Sequence, residues 1–252
     1  MMSDTPAQPI ALVTGANRGL GLEIARQLAQ AGVHTLLGAR RPEAGRAAAA
    51  ELSAQGLNAA FIHLDVSDPT AIAAAAAKIA DSHGKLDILV NNAGSVASDE
   101  LPPSSSAVEA MRTDFETNFF GVVAVTQAML PLMALGELRR IVNVSSRGGS
   151  LSLSADAGAA AQLSSRLGYA ASKAAQNMFS ILLGAELRNQ NFSVRVVTPG
   201  LVRTDLFDRV NKVSARRIRT PSEGAEIIVR CALSPGDDCS GTFISADGDV
   251  PW

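Results

Sequence analysis

Ile10-Ala11-Leu12-Val13-Thr14-Gly15-Ala16-Asn17-Arg18-Gly19-Leu20-Gly21 is the stretch on which the fold turns. Its first five residues form an apolar run closed by Thr14, with no alternation of polar and apolar positions. That is the pattern of a strand covered on both faces, as in a parallel sheet. The glycines behind it, spaced Gly-x3-Gly-x-Gly, read as a tight turn, because glycine reaches positive φ without a steric penalty. A helical pattern follows from Gly19 to Ala31.

The same alternation runs on through the chain. Further strands are expected at Val33–Gly38, Ala59–Leu64, Leu86–Val90, Arg140–Val144, Phe192–Val197 and, briefly, Phe243–Ser245. Helices are expected at Glu43–Gln55, from Asp68-Pro69 onward, at Ser106–Met133 and at Leu167–Arg188. Asp68 suits an N-cap with Pro69 in the first turn. Strands alternating with helices over short links give an α/β fold: one doubly wound parallel sheet of about seven strands with helices on both faces. No linker or repeat divides residues 1–252, which read as a single domain with 1–8 as a flexible N-terminal extension.

Composition narrows the function classes. The 22 basic and 24 acidic residues leave a net charge of −2, so no basic surface is offered to nucleic acid or an anionic membrane. The alanine-rich stretch Ile72–Ala80 is too short to span a bilayer and contains Lys78. Met1-Met2-Ser3-Asp4 lacks the regions of a signal peptide. Two cysteines, Cys231 and Cys239, without a CxxC fit a reducing cytoplasm. His34, His63 and His83 show no ligand spacing, so no metal site is expected.

The glycine turn follows a strand and opens a helix, where absent side chains and free N–H groups suit a dinucleotide's pyrophosphate. The end of the second strand selects the dinucleotide. An acidic residue about 20 positions past the glycines grips a free ribose, whereas an arginine accommodates a 2′-phosphate. Arg40 stands 19 residues past Gly21, and Arg18 lies within the turn itself. Two guanidinium forks favour NADP(H).

Tyr169 and Lys173 are spaced i and i+4, on one face of a helix. An ammonium beside a phenol favours the phenolate, and such a pair can trade a proton with a carbonyl or alcohol. Ser145 and Ser146 end the fifth strand, and Asn91-Asn92-Ala93-Gly94 ends the fourth, both at the sheet edge where open α/β folds bind ligands. Asn118 interrupts an apolar helical stretch and needs hydrogen-bond partners; it could anchor a water leading to Lys173.

On these residues the chain resembles the short-chain dehydrogenase/reductase family. The matching marks are Thr14–Gly21, Asp65 in Leu64-Asp65-Val66, Asn91–Gly94, Asn118, Ser146, Tyr169, Lys173 and Pro199-Gly200 followed by Thr204. The resemblance implies a Rossmann-like domain that transfers hydride to or from nicotinamide. It implies Tyr169 as the acid/base, Lys173 as its modulator and ribose ligand, Ser146 orienting the carbonyl, and Asn118 supporting the proton relay. The cofactor would be held by Gly15, Asn17, Arg18, Gly19, Leu20, Gly21, Arg40, Asp65, Val66, Asn92, Ala93, Gly94, Pro199, Gly200, Val202 and Thr204, together with Tyr169 and Lys173. Ser145 competes with Ser146, which the Val-Ser-Ser-x-x-Gly pattern favours.

One departure stands out. Ser146 and Tyr169 are 23 positions apart, wider than the family's usual interval, and the surplus falls in Gly148–Arg166. This segment reads either as pocket lining or as cover for the helix face used in oligomers, which leaves dimer, tetramer and monomer open. Thr204–Arg219 reads either as a mobile flap or as a solvated helical face, and Trp252 either as a closing aromatic or as a docked tail. Leu151, Leu153, Leu201, Val202, Leu206 and Phe207 point to an apolar carbonyl or alcohol substrate. Two other readings compete: a nucleotide-sugar epimerase or dehydratase, disfavoured by the short C-terminal region, and a non-catalytic NADP(H)-binding regulator, disfavoured by the complete acid/base set.

Overall fold

A computed structural model of the protein describes residues 8–97, 101–155, 166–204, 217–234 and 241–252. Its strands are β1 (Ile10–Thr14), β2 (His34–Ala39), β3 (Ala59–His63), β4 (Ile88–Asn91), β5 (Arg140–Val144), β6 (Ser193–Thr198), β7 (Leu201–Val202), β8 (Ile218–Arg219), β9 (Phe243–Ser245) and β10 (Gly248–Asp249). The main sheet runs β3-β2-β1-β4-β5-β6-β9-β10. Seven of these strands are parallel; β10 adds an eighth, antiparallel to β9. From β1 the chain winds outward to β3, and from β4 it winds the other way. The β1/β4 crevice is therefore the topological switch point, where ligands bind in such sheets.

The helices are α1 (Gly19–Gln30), α2 (Pro42–Ala54), α3 (Pro69–His83), α4 (Val108–Phe115), α5 (Gly121–Met133), α6 (Leu151–Ala155), α7 (Leu167–Leu187) and α8 (Pro221–Leu233). They cover both faces, as the unalternated strands require. Ile24 and Leu28 of α1, Leu52 of α2 and Ile228 of α8 pack on one side. Ile79 of α3, Met129 of α5 and Leu183 of α7 pack on the other. Asp68 caps α3, accepting the Thr70 N–H at 2.9 Å.

Three features depart from the sequence expectation. The long helix expected over Ser106–Met133 is broken by a π turn at Glu116–Phe120. The helix α8 is an addition, begun by Pro221 and a reciprocal capping box between Thr220 and Glu223. The pair β7/β8 forms a separate two-stranded sheet.

The wide interval before Tyr169 begins with the 3-10 turn Arg147–Gly149 and α6. Residues 156–165 and 205–216 lie outside the described residues, and with them most of the stretch Thr204–Arg219 expected as a flap or solvated face, Leu206 and Phe207; so does Cys239. The tail docks. Trp252 stacks on Phe243 with ring centroids 5.5 Å apart, and the carbonyls of Pro251 and Trp252 accept from Ser150 Oγ (2.6 Å) and the Ser152 N–H (2.8 Å). Among the described residues no helix is long and apolar enough to cross a membrane, and no group of three His, Cys, Asp or Glu could hold a metal ion.

Candidate active site

The glycine turn is braced from β4. Asn92 Nδ2 donates to the Thr14 carbonyl at 2.9 Å, and Thr14 Oγ1 accepts the N–H groups of Asn92 (3.0 Å) and Ala93 (2.9 Å). Gly15 and Gly19 take positive φ, 66° and 55°. Gly21 is there for closeness: a Cβ on it would sit 2.4 Å from the Gly15 carbonyl oxygen and 2.5 Å from Asn92 Nδ2. The N-terminus of α1 carries no side-chain cap at Arg18, so its first N–H groups stay open to an anion. Asn17 and Leu20 complete the turn, and Thr204 reaches back over it, its Cγ2 3.4 Å from where a Gly19 Cβ would be. Gly21→Ala should force these groups apart at a cost of about 1–3 kcal/mol. We expect a lower melting temperature and NADPH affinity weakened about tenfold or more. An alanine variant that melts and binds like the wild type would show that the brace has room to yield.

At the neighbouring strand ends, Arg40 is exposed just past β2, and Asp65 and Val66 follow β3. Burial works against the Asp65 carboxylate, but the Ser67 hydroxyl (2.7 Å) and N–H (3.0 Å), with the Arg40 charge, hold its pKa below the usual value. Arg40 and Asp65 therefore share one corner of the crevice. Pro199, Gly200 and Val202 follow β6 on the far side.

The candidate reaction centre is organised by α7. Its buried stripe is apolar at one end but polar at the other, where Ser172, Lys173, Gln176, Asn177 and Ser180 face inward. A buried polar stripe is costly unless every group finds a partner. Here each does. Lys173 Nζ donates to the Val144 carbonyl and to Gln176 Oε1, both at 2.8 Å. Asn177 accepts from Ser145 Oγ at 2.6 Å and donates to the Gly149 carbonyl at 3.0 Å. Ser180 accepts from Asn143 at 2.8 Å, and Asn143 in turn accepts from Asn91 at 2.8 Å. Gly149 lies against the Lys173 backbone so closely that a Cβ would come within 2.9 Å of it.

These contacts separate the two serines. Ser145 is buried and committed to Asn177. Ser146 is partly exposed, accepts the Gly148 N–H at 3.2 Å and shares a side-chain hydrogen bond with Tyr169. Ser146, Tyr169 and Lys173 thus converge where β5 meets α7.

Asn118 sits in the π turn, fully buried. Such turns recur at functional sites because the extra residue re-aims the local side chains. Its Oδ1 accepts the Ser95 N–H (2.9 Å), and its Nδ2 donates to the Ser95 carbonyl (2.9 Å) and Ser172 Oγ (3.0 Å). The side chain thus clamps the loop after Gly94 to α7 through Ser172. Beside it, buried Asp114 of α4 accepts the Ala97 N–H at 2.7 Å.

Ionisation also departs from expectation. Burial pushes the Tyr169 phenol above its usual 10.0; the Ser146 hydrogen bond opposes this, Asp114 adds to it and Arg166 counters it. Burial pulls Lys173 down from 10.5 to about 7. The direction expected for the phenol is therefore reversed in the protein alone: burial dominates its shift, and a lysine lowered to about 7 carries no charge in the range where the phenol ionises. Gln176, Asn177, Ser172 and Asp114 were not singled out from the sequence. The signal for Gln176 was its place three positions past Lys173 on the inward face.

A family model described as short chain dehydrogenase matches residues 9–215. The short-chain dehydrogenase AnuI of Penicillium roqueforti (strain FM164) is 36% identical, with 89% of this chain and 88% of that protein covered. Salutaridine reductase of Papaver somniferum is 32% identical, with 92% and 93% covered. Its solved structure superposes with a TM-score of 0.78 at 30% identity, over 94% of this chain and 99% of the other. An NADPH-bound carbonyl reductase from chicken fatty liver superposes with a TM-score of 0.84 at 26% identity, over 97% and 99%. The family model spans the strand-and-glycine turn, the π turn and α7, and the chain belongs to the short-chain dehydrogenase/reductase family of oxidoreductases.

Proposed function

We propose that the chain is an NADPH-dependent reductase of an apolar ketone or aldehyde, able to run in reverse on the alcohol, with Tyr169 as general acid/base. The observation that carries this reading is the convergence of Ser146, Tyr169 and Lys173 beside a turn built for a pyrophosphate. The NADPH in the carbonyl reductase neighbour supports it.

The residues fit the cofactor. Gly15, Asn17, Arg18, Gly19, Leu20 and Gly21 form a turn with positive φ at Gly15 and Gly19 that leads into a helix N-terminus without a side-chain cap, a donor set suited to a pyrophosphate. Asp65 and Val66 would flank the adenine, Asn92, Ala93 and Gly94 the middle of the dinucleotide, and Pro199, Gly200, Val202 and Thr204 its nicotinamide end. Bound there, nicotinamide supplies the hydride. The protein's own part is to hold and move a proton. Ser146 donates to the substrate oxygen and keeps it beside Tyr169. The raised phenol pKa keeps Tyr169 protonated at neutral pH, the form that an acid needs in reduction. Lys173 holds the ribose and offsets charge on the phenolate once its proton has left. Asn118 keeps the Ser95 loop and α7 in register and supports proton resupply.

Arg18 and Arg40 would receive the 2′-phosphate. A charge-assisted hydrogen bond is worth about 1.5–3 kcal/mol. Arg40→Asp should therefore weaken NADPH about 10- to 100-fold and narrow or invert the preference over NADH. Fluorescence titration with both nucleotides reads this, and an unchanged preference would remove the assignment. The exposed apolar residues Phe120, Met178 and Leu182 favour a homo-oligomer packed through the π turn and α7. The two cysteines, with no CxxC, suit a cytoplasmic location.

A further inference from the structure

We propose that Gln176 is the positioning residue of Lys173: its side-chain amide and the Val144 carbonyl hold the lysine nitrogen in place and leave one donor for the cofactor. This rests on the role of Lys173 just proposed. Gln176 is fully buried, one turn past Lys173 on α7, and faces β5. A buried primary amide needs partners. Its Oε1 accepts from Lys173 Nζ at 2.8 Å, and its Nε2 reaches the Val144 carbonyl at 3.4 Å. The amide is thus wedged between the lysine and the sheet and braced on the same carbonyl that Lys173 uses, at 2.8 Å. An ammonium has three donors. Two are spent on these fixed acceptors, which sets the direction of the third.

An apolar residue of the same length would pack equally well, so packing alone does not call for glutamine. What glutamine adds is an acceptor that favours the charged lysine in a site where burial disfavours it. The groups facing the pair are few. Tyr169 and Gln176 lie on α7 itself, Val144 on β5, and the Gly149 backbone on the 3-10 turn. The charges acting on the Tyr169 phenol are Asp114 on α4 and Arg166 ahead of α7. For Lys173 burial is the cause found.

The test reads Lys173 directly, without cofactor or substrate. The chain has four lysines, Lys78, Lys85, Lys173 and Lys212, so carbon-13 lysine labelling gives a simple NMR titration. One resonance should titrate near pH 7 and be absent from Lys173→Met. In Gln176→Met, which keeps the side chain's length and removes its acceptor, the midpoint should fall by about one unit and NADPH should bind about tenfold more weakly. In Gln176→Glu the acceptor returns with a charge, so the midpoint should rise above wild type and affinity should recover. An unmoved midpoint in Gln176→Met overturns the proposal. If that variant does not fold, an unmoved midpoint in Gln176→Glu overturns it equally. Tyr169→Phe, run alongside for turnover, reports on the acid/base reading separately: retained turnover there would remove that reading and leave the lysine titration standing.

Discussion

Tyr169→Phe should lower turnover about a thousandfold or more and leave NADPH affinity within about fivefold of wild type. The substitution removes one oxygen and keeps the ring that fills the site. Ser146 loses one partner but keeps the Gly148 N–H at 3.2 Å, so it is not orphaned. Stability should change by no more than about 1 kcal/mol. The loss would therefore be chemical. Tyr169 is the chain's one tyrosine. Alkaline difference absorbance can thus follow its ionisation alone, with the phenylalanine variant as blank. The midpoint should lie above 10.0 in the protein alone. Reduction, which needs the neutral phenol, should hold its rate through neutral pH and fall only in the alkaline range. A midpoint below 10.0 would show that burial does not govern the phenol's ionisation.

Lys173→Met should lower turnover about a hundredfold and yet stabilise the fold at pH 6. Burial lowers Lys173 from 10.5 to about 7. Between those values the unfolded chain binds a proton that the folded protein does not, so stability falls as pH falls from 10.5 toward 7. At about 1.4 kcal/mol per unit, the cost is roughly 5 kcal/mol at pH 6 and vanishes above pH 10.5. Neutral Lys173 keeps two hydrogen bonds, together worth about 2 kcal/mol. Methionine forfeits those bonds but escapes the protonation cost. The variant should be more stable than wild type by about 3 kcal/mol at pH 6 and less stable by about 2 kcal/mol above pH 10.5, with the curves crossing between. Urea unfolding at both pH values measures this. A variant less stable at both would mean that its partners fully compensate the buried ammonium.

The sheet was legible because a strand buried on both faces writes itself as an uninterrupted apolar run. β1, β5 and β9 fall where those runs lie. The glycine turn was legible because Gly21 and Asn92 leave no room for a Cβ. The helix α8 had its signal in Thr220-Pro221-Ser222-Glu223, a capping box with proline at the first position. The π turn had none, since one extra residue in a helix needs no special residue type. It was this turn that aimed Asn118 at Ser95 and Ser172. Tyr169 and Lys173 were legible as neighbours through their i,i+4 spacing, but their ionisation was not. Burial is a tertiary property, and it reversed the expected direction for the phenol. The Val-Ser-Ser-x-x-Gly pattern favoured Ser146 over Ser145, but the physical reason was not legible: Ser145 is committed to Asn177, which lies 32 residues away in sequence.

The most direct measurement of the proposed chemistry is NADPH consumption by the wild-type protein across a panel of apolar ketones, aldehydes and diketones, with product alcohol quantified. NADPH absorbance should fall, one alcohol should form per NADPH consumed, and Tyr169→Phe should abolish both. A protein that binds NADPH yet consumes none with any carbonyl, and forms none from NADP and the matching alcohols, would contradict the assignment of Tyr169 as its acid/base.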